Sequence, residues 1–318
     1  MEGHPRVPRF FFDSMLLSFV VPVYNNASAF AECVSSVRAL LDDGVAEVVA
    51  VDDGSDEPLR FEAKGVRVIR IGHSGAAVAR NVAIGAAEGD FVWPLDADDV
   101  IVTDGIGSLL NALRAMPEKA CFFHIGNMLA QERPGAMPLA SLPDEAATAQ
   151  GAPMRRLYPR SSIIDHTTNI IRRSWLASES ELRYPAEMSL LEDTVFALKV
   201  CERAELCLYN DTFRFYCRRT YHPSATAGAW SSERSSRFVD DICCFFRFLG
   251  EYADRHSEYD NVRLLSARLR YVYRRVAMVK GCPWSDLVRM LDVVGRPRCP
   301  ILFYRFTAFV CRLLRPKR

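Results

Sequence analysis

The chain has 318 residues, 49% of them hydrophobic, and a net charge of +1. It is too long for one minimal domain and suits one large domain with an appendage or two smaller ones, with apolar residues enough for a sizeable core. No run reaches the roughly 18–20 uninterrupted apolar residues that span a bilayer, which excludes a transmembrane helix.

The ten cysteines are scattered, with no CxxC pair and no zinc-finger spacing to a histidine, as expected of buried free thiols in a reducing compartment. Charge is segregated. From Asn261 to Arg318, 14 Lys and Arg face two acids, a net +12 that leaves −11 for residues 1–260. A basic end on an acidic body points to an anionic neighbour.

Residues 1–14 read as an extension upstream of a natural start at Met15. The stretch 10-FFFDSMLLSFVVPVYN-25 is no signal peptide, because Asp13 interrupts it and no small-residue cleavage site follows. Leu17 to Val23 is an apolar run ending at Tyr24-Asn25-Asn26, which predicts a strand buried on both faces. Phe30 to Leu41 has helical spacing, and Glu47 to Val51 is a second apolar run broken by 52-DDGSDEP-58. Val66 to Ile71 is a third run, Ala76 to Ala87 an alanine-rich helix, and Phe91 to Leu95 a fourth strand in which Pro94 argues against a central position.

Alternating strands and helices with short polar breaks predict a doubly wound, mostly parallel, Rossmann-like sheet. Ligands in such sheets sit outside the carboxyl ends of the strands, where Asn25, Asp52, Asp53 and Asp96 to Asp99 fall. Residues 131–160 hold five prolines and read as a loop or flap. A helix led by Glu192 and Asp193 is followed by a strand to Tyr209, and the pattern beyond Trp230 is helical. The expected organisation is an extension (1–14), an α/β domain (15–228, with halves at about 15–125 and 160–228) and a basic helical region (229–318).

The stretch 91-FVWPLDADDVI-101 drives an apolar run into Asp96, Asp98 and Asp99. Like charges this close require a compensating cation or hydrogen-bond donors. Two carboxylates spaced Asp-x-Asp can share one hard divalent ion, Mg²⁺ or Mn²⁺, leaving sites for water or a ligand's phosphates. The bland alternative is a set of solvated loop acids, with Thr103 or Asp104 capping the next helix. In 49-VAVDDGSD-56 a carboxylate can accept from a ribose hydroxyl or a base N–H, although an Asp-Gly turn explains the same residues. Arg80, on the alanine-rich helix beside Asn81, can pair with a diphosphate or with the acids.

Taken together and in order, "VVPVYN", "VDDGS.D", "G...ARN.....A.GD" and "LDADD" resemble the family 2 glycosyltransferases of the GT-A fold, over about residues 16–225. The resemblance implies that Val23, Tyr24, Asn25, Asp52, Asp53, Arg80, Asp96 and Ala97 meet a nucleotide-sugar, UDP-linked by first expectation. It makes Asp98 the ligand of a Mn²⁺ or Mg²⁺ bridging the diphosphate. The segment 169-NIIRRSWLASESELRYPAEMSLLED-193 resembles the family's acceptor side, which makes Asp193 the general base, with Glu192 beside it. The bland alternative for both acids is a favourable helix dipole. In 214-RFYCRRTYHPSAT-226, Arg218, Arg219 and His222 match the family's basic segment near the donor phosphates, His222 as a second metal ligand.

Two positions depart from the family pattern: His73 stands where asparagine is common, and Leu190-Leu191 where a small residue is frequent before the Glu-Asp pair. The Q-x-x-R-W signature of processive synthases is absent, so one sugar per encounter is expected.

At the C-terminus, 300-PILFYRFTAFVCRLLRPKR-318 places Arg305, Arg312 and Arg315 on one helical face opposite apolar residues. With 263-RLLSARLRYVYRRVAMVK-280 it suits helices lying on an anionic membrane surface, and no module for nucleic acid accompanies the charge. The sequence therefore predicts a cytoplasmic enzyme, peripheral on the inner face of the membrane, that moves a single sugar to a glycan or lipid-linked acceptor in polysaccharide biosynthesis. The alternatives are a degenerate glycan-binding scaffold, a haloacid-dehalogenase-type phosphatase and a sugar nucleotidyltransferase. The motif's late position disfavours the phosphatase, and the missing Gly-rich loop disfavours the nucleotidyltransferase.

Overall fold

The computed structural model describes residues 15–103, 105–125, 129–131, 150–152, 166–210 and 215–219, and beyond them 240, 241, 243–245, 247, 248 and 251. The chain divides into two compact units, Met1–Ala186 with Glu192–Gly228, and Glu187–Leu191 with Ala229–Arg318. The extension at 1–14, most of the proline-rich stretch, His222 and both basic C-terminal stretches lie outside the described residues.

In the first unit, β1 (Leu17–Val23) and β2 (Ala46–Asp53) are buried almost throughout, as strands covered on both faces must be. The helical pattern read over Phe30–Leu41 resolves into α1 (Ala27–Ser36) and α2 (Arg38–Asp42), parted at Val37, whose φ of −107° and ψ of 7° leave the helical region. Next come β3 (Val66–Ile71), α3 (Ala76–Ala86), β4 (Phe91–Pro94), β5 (Val100–Ile101) and α4 (Ile106–Arg114). The start of α4 corrects one expectation: Gly105, in the left-handed region, occupies the cap with no side-chain bond, and Thr103 contributes its carbonyl to the Ile106 amide instead.

The chain continues through β6 (Phe122–Ile125), β7 (Leu129–Gln131), β8 (Gln150–Ala152), a 3₁₀ turn (His166–Thr168), β9 (Asn169–Arg172), α5 (Arg173–Ser178), α6 (Glu192–Arg203), β10 (Cys207–Asn210) and β11 (Tyr216–Arg219). Part of the expected proline-rich loop is thus the strand β8, paired antiparallel with β10.

The large sheet has eight strands in the order β3-β2-β1-β4-β9-β6-β10-β8. Pairings β2–β3, β1–β2, β1–β4 and β6–β10 are parallel, and β9 enters antiparallel between β4 and β6. A second sheet has three strands in the order β5-β11-β7. Strands β2 and β3 extend to one side of β1 and β4 to the other, so the order reverses at β1–β4, where open α/β sheets form their ligand crevice.

β4 is a central strand despite Pro94. Its ladder with β9 stops at Val92, whereas its ladder with β1 runs on to Pro94 and the Leu95 amide reaches the Val20 carbonyl at 3.1 Å. Amides alternate sides along a strand, so the missing N–H of Pro94 points to the side where β9 has already ended.

The core is filled by Phe19, Phe30, Trp93, Phe123 and the aliphatic residues around them. Trp93 stacks near Phe19 at 5.3 Å and its indole N–H donates to the Thr167 carbonyl at 2.7 Å, which satisfies the one polar atom it buries. At the amino ends of the strands, Glu47 is buried but accepts from the Ser18 hydroxyl, the Glu88 amide and Arg67 at 2.6–3.0 Å. In the second unit the Ser189 hydroxyl donates to Asp241 at 2.7 Å. Among the described residues, Cys33, Cys121, Cys201, Cys207, Cys243 and Cys244 form no disulfide, and no helix is long and apolar enough to cross a membrane.

Candidate active site

The carboxyl ends of β1, β2, β3 and β4 carry the polar residues that the sequence singled out. Asn25, with φ of 50°, laces the first two: its amide donates to the Ser55 hydroxyl at 2.9 Å, and its side chain exchanges two bonds with Asp56 at 2.9 and 3.1 Å. Tyr24 leaves 47% of its surface exposed and stacks on the His73 imidazole, with ring centroids 4.4 Å apart at 27°. His73, one of the departures from the family pattern, thus forms a short aromatic ledge with Tyr24. The side chains of Val23 and Ala97 are buried in the core, so these two residues can meet a ligand only through the main chain.

Asp52 and Asp53 are both engaged inside the chain. Asp52 has no exposed surface and accepts from the amides of Ser55 at 2.9 Å and Leu59 at 3.0 Å and from Arg70. Burial pushes its carboxyl up, but the Leu59 amide, Ser55 and Arg70 outweigh this and hold it below its ordinary value. Asp53 accepts the amides of Ser74 at 2.7 Å and Gly75 at 2.9 Å, and His73 Nδ1 lies 3.0 Å from it. The pair braces the loops after β2 and β3. Between those loops Gly54 adopts φ +72°, and a Cβ there would fall 2.6 Å from the His73 nitrogen.

Past β4, one carboxylate oxygen from each of Asp96, Asp98 and Asp99 lies within 4.8 Å of the other two. Three hard oxygen donors this close fit a divalent cation of the Mg²⁺ or Mn²⁺ type. Asp96 is 28% exposed at its side chain and Asp99 is buried, so the cluster is partly open to a ligand. β11 pairs antiparallel with β5, Cys217 opposite Val100, which brings the strand bearing Arg218 and Arg219 beside the residue that follows the cluster.

Asp193 lies in the first turn of α6, half-buried, and accepts the Thr194 amide at 2.6 Å. Glu192 is buried, and burial pushes its carboxyl up, with Arg80 opposing and Asp193 adding to the rise. Of the two roles foreseen for Arg80, the structure has it paired with acids. Its Nη2 donates to Asp96 at 2.7 Å and its Nη1 to Glu192 at 2.9 Å. Burial works against its charge, but Asp96 and Glu192 overcome this and hold the guanidinium above its ordinary range.

Two further residues join the site that the sequence did not single out. Tyr184 lies under the Arg80 guanidinium (5.3 Å to the ring centroid), stacks on Phe196 of α6 at 3.9 Å and hydrogen bonds His166 Nδ1 at 2.7 Å. The Nε2 of buried His166 faces Asp96 at 3.9 Å. His166 lies in no motif read from the sequence and Tyr184 lies within the acceptor-side segment 169–193 without a role there; only the fold brings them to the acids. A cavity of about 270 Å³ lined by Leu16, Phe91, Leu113 and Arg172, among others, lies at the amino ends of β1 and β4, the end of the sheet opposite the acid cluster.

The model of glycosyl transferase family 2 matches residues 18–178, just over half of the chain. The chain belongs to that family. It is 31% identical over 122 residues to the glycosyltransferase GlyG of Streptococcus pneumoniae, covering 36% of this chain and 39% of that protein. It is 26% identical over 215 residues to the poly(ribitol-phosphate) beta-N-acetylglucosaminyltransferase TarS of Staphylococcus aureus, covering 64% of this chain and 36% of TarS. The matches span between 27% and 39% of the lengths of these and two other curated relatives.

Among solved structures, S. aureus TarS 1–349 superposes with a TM-score of 0.60 at 18% identity, over 88% of this chain and 79% of that one. The same TarS fragment in complex with UDP-GlcNAc gives 0.53 at 20% identity, over 88% and 89%. The fold of this family 2 member is therefore the GT-A fold. Membership sets aside the phosphatase and nucleotidyltransferase alternatives.

Proposed function

We propose that this chain is a metal-dependent, inverting glycosyltransferase that moves one sugar from a nucleotide-sugar, UDP-linked, to a hydroxyl of a glycan or lipid-linked acceptor. The carrying observation is that the three-carboxylate cluster at the β1–β4 switch point and the first turn of α6, which bears Asp193, are tied to one another through Arg80. The family, and a neighbour of the same fold solved with UDP-GlcNAc, support a nucleotide-sugar as donor.

In this reading the Tyr24–His73 ledge and the loop held by Asp53 receive the base and ribose. Asp96, Asp98 and Asp99 hold Mn²⁺ or Mg²⁺, which when bound supplies positive charge against the departing diphosphate. Asp193 takes the proton of the acceptor hydroxyl as its oxygen attacks the anomeric carbon from the face opposite the diphosphate. The anomeric carbon–oxygen bond breaks and the nucleoside diphosphate leaves, so one glycosidic bond replaces one sugar-phosphate bond with inversion. Arg218 and Arg219, on the strand beside the cluster, are assigned to the donor phosphates, and His222 to the metal. The net +12 of residues 261–318 supports a seat on an anionic, cytoplasmic membrane face, which places a lipid-linked acceptor within reach.

The test is binding and turnover across UDP-, dTDP- and GDP-sugars with Mn²⁺ or EDTA, for wild type and Asp98→Ala. Metal-dependent binding of one donor class, lost in the variant, is the expected result. If no nucleotide-sugar binds with metal present, the transferase reading gives way to the glycan-binding scaffold.

A further inference from the structure

We propose that Glu192 is a positioning residue for the transfer, coupled through Arg80 to Asp96, so that the donor and acceptor halves of the site share one buried cation. This rests on the transferase reading above and adds a function for a residue that a helix-dipole argument would leave without one.

A dipole needs no partner. An acid in an exposed first turn stabilises a helix by under about 1 kcal/mol, yet Glu192 is only 8% exposed. A carboxylate taken out of water costs several kcal/mol unless it is paired and hydrogen-bonded. Its pair is not a neighbour on α6 but a guanidinium 112 residues away in sequence, at 2.9 Å. The other terminal nitrogen of that guanidinium holds Asp96 at 2.7 Å.

The geometry of arginine makes this a coupler. A planar fork fixes the two carboxylates relative to one another, whereas the ammonium of a lysine is a point charge that can face only one of them well. The fork itself is fixed from two sides: Tyr184 lies beneath the guanidinium at 5.3 Å, and Asn81, the next residue on α3, clamps the main chain of Tyr184. Arg80 is 5% exposed and its Nε is a buried donor with no partner among the described residues, an unsatisfied group that costs stability. Its two terminal nitrogens are the ones aimed at acids. Because Glu192 and Asp193 are adjacent in the first turn of α6, fixing the first sets the place of the second.

The experiment uses the full chain in five forms: wild type, Glu192→Gln, Asp96→Asn, the double variant and Arg80→Lys. Two readouts are taken: kcat and KM for the donor that the wild type turns over, and thermal unfolding in EDTA. Expected are a kcat lowered roughly tenfold or more in Glu192→Gln with donor KM within about twofold of wild type, and both parameters impaired in Arg80→Lys. In unfolding, the double variant should lose less than the two single losses combined, because the first substitution already breaks the shared arrangement. A near-isosteric Gln keeps the fold, and if Arg80→Lys does not fold, the Asp96–Glu192 cycle still decides. An active wild type with Glu192→Gln kinetically normal, or a cycle with additive losses, overturns the coupling. A wild type that turns over no donor overturns the transferase reading itself, and the positioning role with it.

Discussion

The side-chain amide of Asn81 and the main chain of Tyr184 exchange two hydrogen bonds of 2.9 Å each across 103 residues of sequence. The carboxamide donates to the Tyr184 carbonyl and accepts its N–H, as a paired strand would, and so joins α3 to the segment that leads toward α6. Asn81→Ala leaves two main-chain groups of a buried residue unpaired, at about 1–3 kcal/mol in all. A fall in melting temperature of about 3–10 °C is expected for a chain of this size, with Arg80 loosened above Tyr184. Calorimetry together with donor KM checks both consequences.

Asp193→Asn removes a proton acceptor while keeping size and the bond to the Thr194 amide. A general base contributes about 10²–10⁴ in rate. Turnover should fall by that factor while UDP affinity, measured by calorimetry, stays at its wild-type value. Equal losses in both would move Asp193 from base to binding residue.

Asp52 gives a pH signature. Its folded pKa lies below the ordinary aspartate value, so the ionised form is favoured by folding. Its contribution is fully present above the unfolded pKa and is lost as pH falls through the lower, folded value. Asp52→Asn should be less stable than wild type by about 1–3 kcal/mol at pH 7. The difference should be constant above about pH 5 and shrink below pH 3.8. Denaturant titrations at a series of pH values read this directly.

Gly54→Ala tests the loop between Asp53 and His73. The φ of +72° disfavours any Cβ, and the added methyl would meet the His73 main chain at 2.6 Å. Strain and clash together should cost about 2 kcal/mol or more. Since the same loop positions Asp53 and the Tyr24–His73 ledge, donor affinity should fall alongside stability, whereas Gly107→Ala, with nothing within 4 Å of its Cβ, should leave affinity unchanged.

Much of this protein is determined by local pattern. The continuous apolar run at Leu17–Val23 predicts a strand where β1 forms, because a strand covered on both faces has no polar side to alternate with; Val66–Ile71, interrupted by Arg67 and Arg70, forms the half-buried edge strand β3. The alanine-rich stretch predicts α3, and the acids at the ends of β2 and β4 mark the edge of the sheet where the chain must turn. Local pattern misled at Pro94, since whether an absent N–H matters depends on where the neighbouring strand stops, and β9 comes from 75 or more residues later in the chain. It was equally silent on Asp52. A carboxylate read as a ligand contact is fully buried and held by Ser55, Leu59 and Arg70, and burial is a property of the assembled fold. His166, Tyr184 and the Arg80–Glu192 pair lie deepest in this class: their partners sit 18 to 112 residues apart, and a contact between distant side chains has no period, spacing or composition to announce it. Sequence alone determined the elements and the acids at their ends; tertiary packing decided which acid meets which cation, because charges in a desolvated interior are set by the neighbours the fold brings to them.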